Sequence, residues 1–133
     1  MAFFQSEKRK FVRVPVAMPV KYRYVSQIHS ETCSVPREQF QGQTQNIGAG
    51  GILLLAPMPT DPELLTRLLM QKVVVGIEMT LPSGSSIQAL CRVSWLEAID
   101  EREGTLALGL RFIEITNTSR DELFRFVITS CCG

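Results

Sequence analysis

The stretch that decides the fold is "VVVGIEMTLPSGSSIQALCRVSWLE", residues 73–97. On its first arm Val73, Val75, Ile77, Met79 and Leu81 take every second position, and on its second arm Ile87, Ala89, Cys91, Val93 and Trp95 do the same. Successive side chains of a pleated chain point to opposite sides, so this period of two describes two strands, each with one apolar face. The linker "PSGSS" supplies the proline and glycine of a chain reversal, so the arms form an antiparallel hairpin.

Outward in both directions the same pattern recurs. Downstream, Leu106, Leu108, Leu110 and Phe112 alternate after the longer, charged link "AIDEREG". Upstream, "VPVAMPVKYRYV" carries Val14, Val16 and Met18 and then Tyr22 and Tyr24 at period two, read as one strand whose two prolines place it at an edge or a strand start. "QFQGQTQNI" is a polar strand, followed by the turn "GAGG" and the apolar strand "ILLLA"; residues 26–38 read as a loop. Six or so antiparallel strands, each with one apolar face, must close over a shared core, which predicts a small barrel.

Two segments break the alternation. Within "PMPTDPELLTRLLMQ", Asp61 and Pro62 suit an N-cap and first helical position, and the leucines at 64, 65, 68 and 69 have helical spacing, so a short helix is expected at 62–70. In "TSRDELFRFVITSCC", Ser119 to Glu122 matches a capping box, and Leu123, Phe124, Val127 and Ile128 form a stripe that should lie on the barrel. One domain over residues 14–130 follows, preceded by a flexible basic segment at 1–13.

Composition limits the functions available. The 133 residues are 45% hydrophobic and 20% charged, ordinary for a globular chain. No apolar run approaches the roughly 18–20 residues that span a bilayer, and the charges of "MAFFQSEKRK" sit in the wrong order for a secretory signal, so membrane insertion is not expected and a cytoplasmic location is. A net charge of +1 argues against binding nucleic-acid polymers, which rests on summed phosphate neutralisation. That charge is unevenly placed. Lys8, Arg9, Lys10 and Arg13 against Glu7 give residues 1–13 a charge of +3, leaving 1 − 3 = −2 for the rest. The body's charge, with few aromatics in alternating outer positions, also disfavours an RNA-binding barrel.

Catalytic patterns are missing. His29 is the only histidine, in a predicted loop, and Cys33, Cys91, Cys131 and Cys132 have no metal or redox spacing. Cys91 reads as a buried thiol; Cys131–Cys132 is either a reduced, frayed tail or a weak redox or metal handle. No enzyme, metal site or cofactor is expected. Arg9 and Arg13, four residues apart, offer planar donor forks suited to phosphate or to the O6/N7 edge of guanine. The rival account is a solvated basic terminus. In "QNIGAGG", Asn46 can donate and accept, and Gly48, Gly50 and Gly51 permit positive φ or a close ligand approach, unless this is a plain turn.

Taken in order, these segments resemble the PilZ domain, the bacterial receptor module for cyclic di-GMP. "RKFVR" matches that family's R-x-x-x-R before the first strand, and "NIGAGG" follows its D/N-x-S-x-x-G through Asn46, Gly48 and Gly51. "MTLPSGSSI", "CRVSWLE" and "LGLRFIEITNTSRDELFRFV" look like its middle hairpin, last strand and closing helix, so the resemblance runs from about Glu7 to Val127. It implies a six-stranded antiparallel split barrel, with the C-terminal helix packed on it and ligand on its outer surface. Arg9 and Arg13, with Lys10 between them, would grip guanine edges and phosphates, frequently of a stacked ligand dimer, while Asn46 bonds a guanine and Gly51 lets the turn approach. The leader would be mobile until it folds over the ligand. One departure stands out: the family's serine is Gly48 here, which removes a hydroxyl contact.

The expected role is a cyclic di-GMP receptor acting in trans on an effector protein, as monomer or homodimer. The alternative is a divergent adaptor that binds no nucleotide and contacts its partner through exposed leucines of residues 64–69.

Overall fold

The computed structural model describes residues 13–26, 38–100, 102 and 104–132. Its strands are β1 (Arg13–Pro15), β2 (Pro19–Ser26), β3 (Phe40–Gly48), β4 (Gly51–Pro57), β5 (Val73–Thr80), β6 (Ser86–Asp100) and β7 (Thr105–Ile115), with helices α1 (Pro62–Leu69) and α2 (Asn117–Cys132). Antiparallel pairing runs β3–β2–β5–β6–β7–β4 and returns from β4 to β3, which closes a six-stranded barrel. The quoted hairpin is its centre: Val75 faces Cys91, Ile77 faces Ala89 and Met79 faces Ile87, all buried. Its reversal is tied by Leu81 N–H to Ser85 O at 2.9 Å and uses Gly84 at a φ of 94°.

The first strand differs from the expected single run. Pro15 ends β1 and Pro19 opens β2, and neither ring nitrogen has a hydrogen for a ladder bond. Both segments pair with the same edge of β3, which carries a bulge between Thr44 and Asn46. Residues 16–18 step across that bulge, held by Thr44. Its fully buried hydroxyl accepts from Met18 N–H at 2.9 Å and donates to Val16 O, and Thr44 N–H bonds Met18 O at 2.9 Å.

Helix α1 begins as expected, with Asp61 accepting from Glu63 N–H at 3.0 Å and Pro62 in the first turn. Leu64 and Leu68, at 1% and 0% exposure, enter the core. The docking surface expected from the leucines of 64–69 is therefore corrected: Leu64 and Leu68, at i and i+4, share the helix face that seals the barrel, Leu65 is half-buried against it, and of the four leucines Leu69 alone is exposed, beside Met70. Helix α1 ends in a Schellman turn, with Lys72 N–H on Arg67 O and Gln71 N–H on Leu68 O; Gln71 takes the left-handed position at φ 64°. Its side chain donates to Val93 O at 2.8 Å, fastening the turn to β6.

Helix α2 starts three residues before the expected box. Thr116 is the cap, its hydroxyl accepting from Ser119 N–H at 3.1 Å, while buried Ser119 turns to Gln88 N–H and Glu122 accepts from the Ser85 hydroxyl at 3.0 Å. Leu123 and Val127 are buried with Phe126 packed beside them, whereas Phe124 and Ile128 are exposed, so the predicted stripe is half right. The helix runs through Cys132 instead of fraying before the cysteine pair. It packs on β6, β1 and β3, while α1 packs on β6 and β5 at the other end of the hairpin.

Candidate functional site

The register at the start of the barrel decides which side chains meet. Arg13 lies opposite Gly48, Val14 opposite Ile47, and Pro15 opposite Asn46. Ile47 is fully buried and Val14 packs against the core, so their neighbours Arg13 and Asn46 face outward on a common diagonal. The Arg13 Nη1 donates to Asn46 Oδ1 at 3.1 Å. Two residues 33 positions apart in sequence are thus joined on the outer face. Arg9 and Lys10 lie outside the described residues, as do the leader before Arg13, most of the loop expected at 26–38, His29, Cys33 and the thiols of Cys131 and Cys132.

The glycine bend works differently from the expectation. Among the described residues the glycines with positive φ are Gly84 and Gly104, so the bend of residues 48–51 needs no left-handed residue. Gly51 is required for another reason: a Cβ there would stand 3.0 Å from Leu110 C and closer still to its carbonyl oxygen. The missing side chain lets β4 close against β7, and Phe112 N–H bonds Gly50 O at 3.0 Å to hold the bend there.

The ladder continues past the bend. Ile47 pairs with Ile52, so the next rung sets Gly48 beside Gly51; Gly51 pairs with Arg111, and Arg111 with Arg92. One row therefore runs Arg13, Gly48, Gly51, Arg111, Arg92 across the outside of the barrel. A second runs Asn46, Leu53, Gly109, Trp95. Trp95 does not face the core as its alternation suggested: the β6 register shifts between Val93 and Trp95, and the indole is 43% exposed. It lies over Gly109, where a Cβ would come within 2.7 Å of three indole atoms. Sequence parity alone turned Arg111 outward between Leu110 and Phe112, but nothing local could bring it to Gly51.

The barrel interior is chemically quiet. Burial pushes the Cys91 thiol up from 9.0 to about 12 and raises Tyr22 and Tyr24, whose rings lie 5.8 Å apart and 5.6 and 5.7 Å from that of Phe40. Among the described residues no group of three His, Cys, Asp or Glu side chains could hold a metal ion, and no helix is long and apolar enough to cross a membrane.

The family model for the PilZ domain matches residues 7–129. Among solved structures the chain is similar to the Bacillus subtilis inhibitor of motility MotI/DgrA, with a TM-score of 0.65 and 17% identity over 93% of this chain. It spans about half of that protein, 51% of its length. It is also similar to the PilZ domain with c-di-GMP of YcgR from Escherichia coli, with a TM-score of 0.56 and 12% identity over 94% of this chain and 92% of that one. A third likeness is to the PilZ domain of CeSA from a cellulose-synthesizing bacterium, at 0.50 and 17% over 89% and 96%. At these identities the likeness is one of fold. No curated protein matches the sequence.

Proposed function

The chain belongs to the PilZ domain family, and on that premise we propose that it is a non-enzymatic receptor for cyclic di-GMP that acts on a partner protein. The observation that carries this reading is the meeting of the Arg13 guanidinium with the Asn46 carboxamide on the outer face. A guanidinium has five N–H donors in a planar fork. Such a planar fork suits a guanine O6/N7 edge or a phosphate, and the Asn46 carboxamide adds an amide donor for the base. The hydrogen bond holds both groups in place before ligand arrives, which reduces the ordering that binding must supply. The c-di-GMP carried by the PilZ domain of YcgR supports the same ligand class here.

Arg9 and Lys10, four and three residues upstream of Arg13, are the cations proposed to close over the bound dianion. Gly48 lies opposite Arg13 without the family's serine hydroxyl. A lost hydrogen bond of about 0.5–3 kcal/mol weakens affinity from a few-fold to roughly a hundredfold, so binding is weakened and not abolished. Gly51 acts through the closure of β4 on β7.

Titration calorimetry with cyclic di-GMP at moderate salt tests the reading. Saturable heat is expected for the parent, its loss in Arg13→Ala, and tighter binding in Gly48→Ser. A flat parent titration at high micromolar ligand refutes the receptor role.

A further inference from the structure

Arg92 and Arg111 stand directly opposite each other on the outer face of β6 and β7. Like charges in that relation destabilise a sheet. Among the described residues no carboxylate forms an ion pair with either one; Glu97 and Glu114, the acids nearest along the same strands, do not reach them. Arg92 is half-buried and held, its Nη1 donating to Gln71 O at 2.8 Å, and that carbonyl belongs to the left-handed turn ending α1. Arg111 is exposed and pairs in the ladder with Gly51. Two un-neutralised guanidiniums, one of them anchored, thus stand beyond the buried Gly48 and Gly51 on the side away from Arg13. Three strand spacings of about 4.8 Å put Arg13 and Arg111 roughly 14 Å apart at the backbone, a gap their long side chains can narrow from both ends.

We propose that Arg92 and Arg111 form a second anion-binding subsite, which takes a phosphodiester or guanine edge of the cyclic dinucleotide while Arg13 and Asn46 hold its other side. This rests on the receptor reading above. A bound anion removes the repulsion between the two guanidiniums, and the long side chains of Arg13 and Arg111, reaching over the buried Gly48 and Gly51, let one ligand meet both pairs. It also supplies cationic contacts that offset the missing serine hydroxyl.

Two measurements on the full chain test the subsite. In calorimetry with cyclic di-GMP, Arg111→Gln is expected to weaken binding roughly 10- to 100-fold, as loss of a charge-assisted bond does. Arg111→Lys should fall between, keeping charge without the fork. In thermal melts, inorganic pyrophosphate should stabilise the parent more than Arg111→Gln, and without anion the variant should melt no lower than the parent. Parent binding that is lost in Arg13→Ala but unchanged within twofold in Arg111→Gln overturns the subsite and leaves the receptor standing. A parent that ignores cyclic di-GMP yet shows Arg111-dependent stabilisation by pyrophosphate refutes the receptor and supports the anion site. If neither ligand acts, both fall.

Discussion

Replacing Thr44 by Val tests how the fold builds the site. The two side chains have nearly the same shape, so no cavity opens; the change removes one hydroxyl. That hydroxyl is fully buried, accepts from Met18 N–H at 2.9 Å and donates to Val16 O. Without it, two main-chain groups at the crossing between β1 and β2 lose a partner. An orphaned buried polar group costs about 1–3 kcal/mol. Met18 is buried and bears the full cost, whereas half-buried Val16 can recover part of its loss from water. The total is about 2–4 kcal/mol. For a domain of this size each kcal/mol lowers Tm by about 3–5 °C, so the drop is roughly 6–20 °C. Urea denaturation should show a lower midpoint with an unchanged slope, since the surface exposed on unfolding is the same. Thr44→Ser, which keeps the hydroxyl, should lose no more than about 1.5 kcal/mol. Because the crossing positions β1, Thr44→Val should also weaken cyclic di-GMP binding by loosening Arg13 from Asn46. A valine variant within about 0.5 kcal/mol of the parent, the scatter of neutral surface changes, would refute the account of the split strand.

Further outcomes follow from the same geometry. Gly51→Ala should destabilise by at least about 1–3 kcal/mol, because its Cβ meets backbone that cannot rotate away; unchanged urea stability with lost ligand binding would instead assign Gly51 to the ligand. Gly109→Ala should displace the indole of Trp95, the chain's single tryptophan, and red-shift its emission at little cost in stability; an unmoved spectrum contradicts the stacking. Cys91 is protonated in the fold up to about pH 12 but only to 9.0 when unfolded, so the native state binds the extra proton between those values and stability falls as pH rises through that window. Denaturation from pH 8 to 11 should show that decline, less steep in Cys91→Ala, and the native thiol should resist alkylation at pH 8.

Strand parity is a local property, so the alternation of residues 73–81, 87–93 and 106–112, the reversal at "PSGSS" and the Asp61–Pro62 helix start were all legible from neighbours in the chain. With six such apolar faces a closed barrel was the only common core. What lies within one or two residues of a boundary was not legible. The Trp95 side depended on a register shift in β6, the α2 cap on whether Thr116 or Ser119 was free to serve, and the fate of Leu68 on which face of α1 met the barrel. Local propensity is nearly equal for the alternatives in each case, and packing chooses. The site divides in the same way. Arg13 and Asn46 were identifiable as candidate polar side chains, whereas their contact depends on the rung that sets Arg13 opposite Gly48. Arg92 and Arg111, 19 positions apart in sequence, become neighbours only through the β6–β7 register. The one-dimensional pattern thus determines which way a side chain points, and the closure of the sheet determines what it points beside.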